Sequence, residues 1–279
     1  MQDSPSADLD SITARVVDAA TRDEPTSAAA TLFLLRQYVA TGRDEVKDAL
    51  GLALAHALAA SLAASSVVER AAWLAVFAEA VPIADDDRIV EAVKALAVVL
   101  SAGWPSGDGL RDGMASVDAC LQASAAVASL DLVPAAIDEL ERVVAATYRP
   151  GIGLVDPASA AEAHSADHAR AASALLTAFE LTGRLPYSML AEELMQIARR
   201  TPGRDSDFTT RCAIARAFCR LAALHDAADY RAAAVIADGA DYRGDAAGLL
   251  QRQAAHLSAA STADAALYGV ALREFMSLR

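Results

Sequence analysis

One phrase recurs along this chain: an apolar helix of about four turns, a tight polar stop, and a second, amphipathic helix. Its clearest copy is LLTAFELTGRLPYSMLAEEL, turning at Thr182-Gly183-Arg184, and an earlier copy is TLFLLRQYVATGRDEVKDAL, turning at Thr41-Gly42-Arg43. Looser copies turn near Val81-Pro82, Asp131 and His225-Asp226. A period of roughly forty to fifty residues belongs to helical repeat architectures, in which no hairpin can bury its apolar face alone and each must pack on its neighbours. The expected fold is therefore all-α: a stack or ring of helical hairpins.

The pattern gives about thirteen helices, or six hairpins and one extra helix, with no segment showing the β-branched alternation of a strand. Residues 1–10 read as a disordered N-terminus and residues 11–279 as a single helical-hairpin domain. The first helix of each pair is the more apolar, as in AAWLAVFAEAV against DDRIVEAVK. That asymmetry is expected of an α/α toroid, complete or partial, whose inner helices are covered on both sides. Ala172, Leu176 and Phe179 are then expected to be buried on an inner helix.

About seventy alanines favour helix and let helix axes approach closely. A net charge of −13 opposes binding to a phosphate backbone, so nucleic acid is not an expected partner. The three cysteines form no paired motif, and the acidic start MQDSPSADLD lacks the basic then apolar order of a secretory signal; together they point to the cytoplasm. Residues 49–68 are uncharged up to Glu69 and long enough to span a bilayer, yet alanine and serine dominate them and His56 interrupts them, so a buried helix is expected and no membrane. Arginine far outnumbers lysine, which reads as compositional bias and not as a functional choice of guanidinium.

The hairpins FLLRQYVATGRDEVKDALGLAL and ALLTAFELTGRLPYSMLAEEL resemble the helical toroid of the thioredoxin-domain proteins of the spermatogenesis-associated type, part of the wider six-hairpin glycosidase-like group. The segment YRPGIGLVDPASA is similar in placement to the Gly-Gly-Phe turn of those proteins, although Gly151-Ile152-Gly153-Leu154 lacks the aromatic. The resemblance covers residues 20–238 and implies a toroid. The chain has neither the thioredoxin domain nor the paired cysteines, so no redox role follows from it.

In a ring of hairpins all inner helices begin at one end, and the segments entering them converge on a single mouth. The expected entries are near Asp23-Glu24, Ser65-Ser66, Trp104 to Asp112, Tyr148 to His168, Arg204 to Arg211 and Tyr242 to Asp245. Candidate catalytic residues there are Asp112, Asp167, His168 and Asp207, because glycoside hydrolysis needs paired carboxylates about 5 to 9.5 Å apart and a histidine beside a carboxylate can act as a base. Asp156 joins them as a further carboxylate. Candidate ligand-binding residues are Trp104, His164 and Arg211, with Tyr148 and Tyr242 as further flat surfaces. Asp167 and Asp207 read equally well as helix caps. His164 and His168 lack a third ligand, so neither a metal nor a cofactor is expected.

Two functions remain open at this level. One is a toroid that binds a small polar, sugar-like ligand at its mouth, a degenerate relative of six-hairpin enzymes; the other is a non-enzymatic scaffold for a protein partner. The sequence leaves undecided whether the chain catalyses a reaction.

Overall fold

The computed structural model describes residues 5–22, 24–105, 109–155, 163–200, 207–234 and 239–278. Within them lie thirteen α-helices: α1 (Pro5–Thr21), α2 (Ala28–Thr41), α3 (Asp44–Ala63), α4 (Val67–Ala80), α5 (Asp87–Ser101), α6 (Leu110–Ala126), α7 (Val133–Thr147), α8 (Ser165–Thr182), α9 (Leu185–Arg200), α10 (Phe208–Asp226), α11 (Ala228–Ala233), α12 (Tyr242–Ala254) and α13 (Thr262–Met276). A small antiparallel ladder between β1 (Tyr148–Arg149) and β2 (Gly153–Leu154), in the register Tyr148 to Leu154, is the strand pairing among the described residues.

The ring closes. Helix α2 packs on α4, α4 on α6, α6 on α8, α8 on α10, α10 on α13, and α13 returns to α2. Helices α3, α5, α7, α9 and α12 cover this inner ring from outside, and α1 supplies the sixth outer helix by packing on α13 and α3. The chain's last inner helix thus has its first helix as outer partner. At this seam a Cβ on Gly269 of α13 would lie 2.5 Å from Cε2 of Phe33 on α2, so only glycine allows the two helices to approach that closely.

The tight stops behave as the sequence pattern requires. Gly42 (φ 64°) and Gly183 (φ 68°) end α2 and α8 in the left-handed conformation, each backbone N–H donating at 2.8 Å to the carbonyl four residues earlier, Tyr38 and Phe179. The acidic run resolves into a cap: Asp86 accepts from the Arg88 backbone N–H at 2.9 Å ahead of α5.

Hydrophobic side chains fill the annulus between the two layers, one half centred on Phe33, Leu34, Leu74 and Phe77, the other on Met114, Leu121, Leu140 and Leu175. The inner helices are therefore apolar toward the outer ring but carry polar stripes toward the lumen. On α8 the stripe is Asp167, Arg170, Ser173, Thr177 and Glu180, three or four residues apart.

Several expectations change. Helix α1 begins at Pro5, inside the stretch expected to be disordered, because Leu9 and Ile12 are buried in the annulus and the Tyr268 hydroxyl reaches Asp8 at 3.3 Å. Helix α3, expected to be buried, is an outer helix whose Leu52 and Leu62 face solvent, 45% and 86% exposed. Ala172 and Leu176 are buried as expected, but Phe179 is half-buried, edge-on to Tyr230 of α11 with ring centroids 5.6 Å apart. The sixth inner helix is α13, entered through residues 255–261 with a 3₁₀ turn at Leu257–Ala259, whereas Tyr242 to Asp245 opens the outer helix α12.

Candidate functional site

The mouth lies where the six inner helices begin. Four carry side-chain caps: Ser27 accepts from the Ala30 N–H, Ser66 from Glu69, Asp207 from Thr210 and Ser261 from Asp264. Helices α6 and α8 open instead at Gly109 and His164, without a side-chain cap. Their first turns carry the carboxylates of Asp112 and Asp167, which complement the positive end of the helix dipole.

Those same two helices carry the charges that converge on the lumen. Arg170, about 7.5 Å into α8 at 1.5 Å per residue, is half-buried, and its Nε has no hydrogen-bond partner among the described residues. Burial, and after it the guanidinium of Arg111 on α6, draws the Arg170 pKa below its ordinary value; Asp167, Asp118 and Asp112 act in the opposite sense. Arg111 also acts on Asp207 across the mouth. The Asp207 carboxyl lies below the usual range, first because of its bonds to Thr210 and then because of Arg111 and Arg211. At the depth of Arg170, Ala72 on α4 and Ala213 on α10 are solvent-exposed, so small side chains leave the lumen open there.

A turn deeper, the lumen is crossed by hydrogen bonds. Asp118 of α6 accepts from the hydroxyls of Ser173 at 2.7 Å and Thr177 at 2.6 Å, and from Gln122 Nε2 at 3.0 Å. Arg220 of α10 donates to Ser173 Oγ at 3.1 Å, Thr177 Oγ1 at 3.1 Å and Glu180 at 2.9 Å. The circuit continues through Arg216, which holds Glu274 of α13 at 2.9–3.1 Å, to Arg36 of α2, which bonds the same Glu274 and forks onto Glu79 of α4 at 2.7 and 2.9 Å. All six inner helices contribute to it. Burial pushes the Glu274 carboxyl up, but Arg216 and Arg36 outweigh burial and hold it below the usual range.

The expected site residues divide accordingly. Asp112 and Asp167 share Arg170 as a neighbour, while Asp207 and Arg211 meet near Arg111. His164 sits exposed at the rim. His168 does not join them: it is buried beneath the β-ladder, its Nε2 accepting from the Leu154 N–H at 3.2 Å and its Nδ1 donating to the His164 carbonyl at 3.1 Å. With both ring nitrogens engaged it serves as a post for the ladder and not as a base. Nor is it free to share a ligand with His164. Asp207 is a cap held ionised, which disfavours it as a general acid. Trp104 is half-buried against both halves of the core, its indole N–H donated to Ser116 Oγ at 3.0 Å, so its face is only partly open. Tyr242 is buried, stacked on Phe218 with its hydroxyl on Glu192 at 2.9 Å, and Tyr148 bonds Glu193 at 2.8 Å; neither offers a free platform. Asp156, like Asp23 and Arg204, lies outside the described residues.

Sequence reasoning missed Arg111, Asp118 and Arg170. The excess of arginine over lysine reads as compositional bias and hides them, yet the spacing of three and four residues along α8 marks a polar stripe on an apolar helix, the signal of a lumen face.

No family model matches this chain, and no curated protein sequence matches it. Solved structures do. The alpha-1,6-mannanase GH76A of Salegentibacter sp. HEL1_6 superposes with a TM-score of 0.66 at 12% sequence identity, over 97% of this chain and 99% of that one. An inactive variant with two consecutive aspartates changed to asparagine, in complex with alpha-1,6-mannotriose, gives 0.66 at 12% identity over 96% and 98%. The corresponding double alanine variant, in complex with alpha-1,6-mannotetrose, gives 0.65 at 12% over 96% and 98%. At this identity the likeness is one of fold, an α/α toroid, and it extends along nearly the whole of both chains.

Proposed function

We propose that this protein binds a saccharide in the mouth between α6 and α8 and holds it without hydrolysing it. The observation that carries the reading is Arg170: a half-buried guanidinium near the mouth end of α8, whose Nε is buried without a hydrogen-bond partner among the described residues and whose charge is acted on by Asp112, Asp118 and Asp167. Planar carboxylate and guanidinium groups set side by side suit vicinal hydroxyls, which donate to the one and accept from the other. The ligand-bound neighbours, which hold alpha-1,6-linked mannose oligosaccharides, support a sugar as the occupant.

Binding without cleavage is favoured by what the mouth lacks. The neighbours described as inactive are altered at two consecutive aspartates. In this chain the one run of adjacent aspartates is Asp85 to Asp87, which precedes the outer helix α5 at the opposite end of the ring. The narrower resemblance to the spermatogenesis-associated toroids rests on the hairpins that turn at Gly42 and Gly183 and on the segment around Gly151-Ile152-Gly153-Leu154, and it adds no site residue. We likewise propose a cytoplasmic, reducing setting, a reading that three separate buried thiols support.

Calorimetric titration with alpha-1,6-mannotriose tests the binding, with Arg170→Met and Asp167→Asn expected to weaken it and prolonged incubation expected to release no reducing ends. Absence of binding to a panel of neutral oligosaccharides would remove the proposal, and steady product release would replace holding by hydrolysis.

A second reading, a scaffold for a protein partner, rests on a different feature. An apolar groove of about 690 Å³ runs between α3 and α5, walled by Leu58, Leu62, Leu96 and Val99. Leu62→Glu should disrupt capture of a partner there while leaving saccharide binding intact.

A further inference from the structure

We propose that the ring holds a second ligand site at the opposite end of its lumen, for a small hydroxylated carboxylate of the uronic-acid type. The site is a cavity of about 430 Å³ among the C-terminal halves of the inner helices, within the range of small-molecule pockets, about 300–1,000 Å³. The Asp118, Ser173 and Thr177 bonds stand between it and the mouth, and Ser173, Thr177 and Gln122 form its inner wall.

Uncommitted guanidinium donors point to an anion. The cavity wall carries three arginines, Arg36, Arg216 and Arg220, and two glutamates, Glu180 and Glu274, with Glu79 bonded to Arg36 and Asp118 bonded to Ser173 and Thr177 behind the wall. Arg216 and Arg220 lie one turn apart on one face of α10, and their positions are fixed by bonds to Glu274, Ser173 and Thr177. Donors remain: Arg216 engages Glu274 through Nε and Nη2, and Arg220 uses both of its Nη groups, so Arg216 Nη1 and Arg220 Nε bond none of the described residues. These two donors suit a carboxylate, for which charge-assisted bonds are the strong ones.

The same wall offers acceptors for hydroxyls. Gln122 commits its Nε2 to Asp118 and keeps its amide oxygen, and Glu180 is 53% exposed at the rim. Stability alone does not account for the arrangement, because ion pairs drawn out of water return little net free energy and a ring floor packed with leucine would do better. Nor does the helix dipole, which acts within the last turn: Arg216 and Arg220 stand ten and six residues before the end of α10 at Asp226.

The test is isothermal titration of the whole protein at pH 7 with D-glucuronate, D-glucose and inorganic phosphate. With alpha-1,6-mannotriose present in excess to occupy the mouth, glucuronate should bind at one site, with glucose and phosphate each about tenfold weaker or more. Arg216→Gln and Arg220→Gln should each weaken glucuronate by a similar factor. Ala223→Trp, which fills the cavity without removing a charge, should abolish binding in a protein that melts as the wild type does; it carries the test if an arginine variant misfolds. Arg170→Met at the mouth should leave glucuronate binding unchanged. No heat with glucuronate, equal affinity for phosphate, or a loss produced by Arg170→Met but not by Ala223→Trp would overturn the assignment. Since the mouth is probed by neutral oligosaccharides, either site can fail without the other.

Discussion

Gly153 lies against the imidazole of His168: with φ at 98°, a Cβ on this glycine would stand 2.7 Å from Nε2 of His168 and 2.8 Å from Cδ1 of Ile197. The contact makes the β-ladder and the first turn of α8 one unit. It also explains why a histidine placed by the sequence among catalytic candidates is spent on structure. Gly153→Ala should cost about 1–3 kcal/mol, from left-handed backbone strain together with the clash. Urea denaturation checks it; a loss under about 0.5 kcal/mol, the level of ordinary surface substitutions, would mean that the ladder is not anchored on His168.

Glu274 makes the fold's response to acid specific. Its folded pKa lies below the ordinary glutamate value of about 4.3, despite burial, because Arg216 and Arg36 flank it. A depressed carboxyl contributes stability that is fully present above the unfolded pKa and is withdrawn as pH falls through the lower folded one. The wild type should therefore lose this contribution only below about pH 4. Glu274→Gln should be less stable at pH 7 and should lose less on acidification. Equal slopes of melting temperature against pH in the two proteins would show that the carboxylate is not held by its arginines.

Much of the ring was legible because its punctuation is local. Gly42 and Gly183 stop their helices by backbone conformation, a property a dipeptide carries with it, and the apolar excess of the first helix in each pair survives averaging over neighbours. Parity failed after α10, where the six-residue α11 inserts between an inner helix and its outer partner α12 and shifts the count by one. No local signal marks such an insertion. The site was legible only in part, for a related reason: Asp112, Asp167, Asp207 and Arg211 follow from topology alone, whereas the partners of His168, Trp104 and Tyr242 are tertiary and had to be seen.

Phe179 tests where the inner ring ends. Full burial would make Phe179→Ala cost about 3–5 kcal/mol, but the ring is half-buried and meets Tyr230 edge-on. The expected loss is about 1–2.5 kcal/mol, between the core range and that of surface changes, with faster amide exchange confined to α11. A core-sized loss would place Phe179 deeper than the packing against Tyr230 implies.

The three thiols should be inert. Cys120, Cys212 and Cys219 are buried, and burial pushes each pKa up to about 12, so the thiolate that reacts with electrophiles is scarce at neutral pH. Native protein at pH 8 should react with a disulfide reagent only as fast as it opens, and three thiols should become reactive together in denaturant. Rapid modification of one cysteine in the native state would show that its helix is not packed as described.

Arg170 should trade stability for binding. Its Nε is buried without a partner, an arrangement that costs about 1–3 kcal/mol when a polar group goes unsatisfied. Asp112, Asp118 and Asp167 stand near enough to act on its charge but form no ion pair with it among the described residues. Arg170→Met keeps the length and apolar stem of the side chain while removing the group that burial penalises. The variant should melt at or above the wild-type temperature and bind alpha-1,6-mannotriose more weakly. A group that existed to hold α6 against α8 would give the opposite pair of results: the substitution would lower the melting temperature and leave any saccharide affinity as it was.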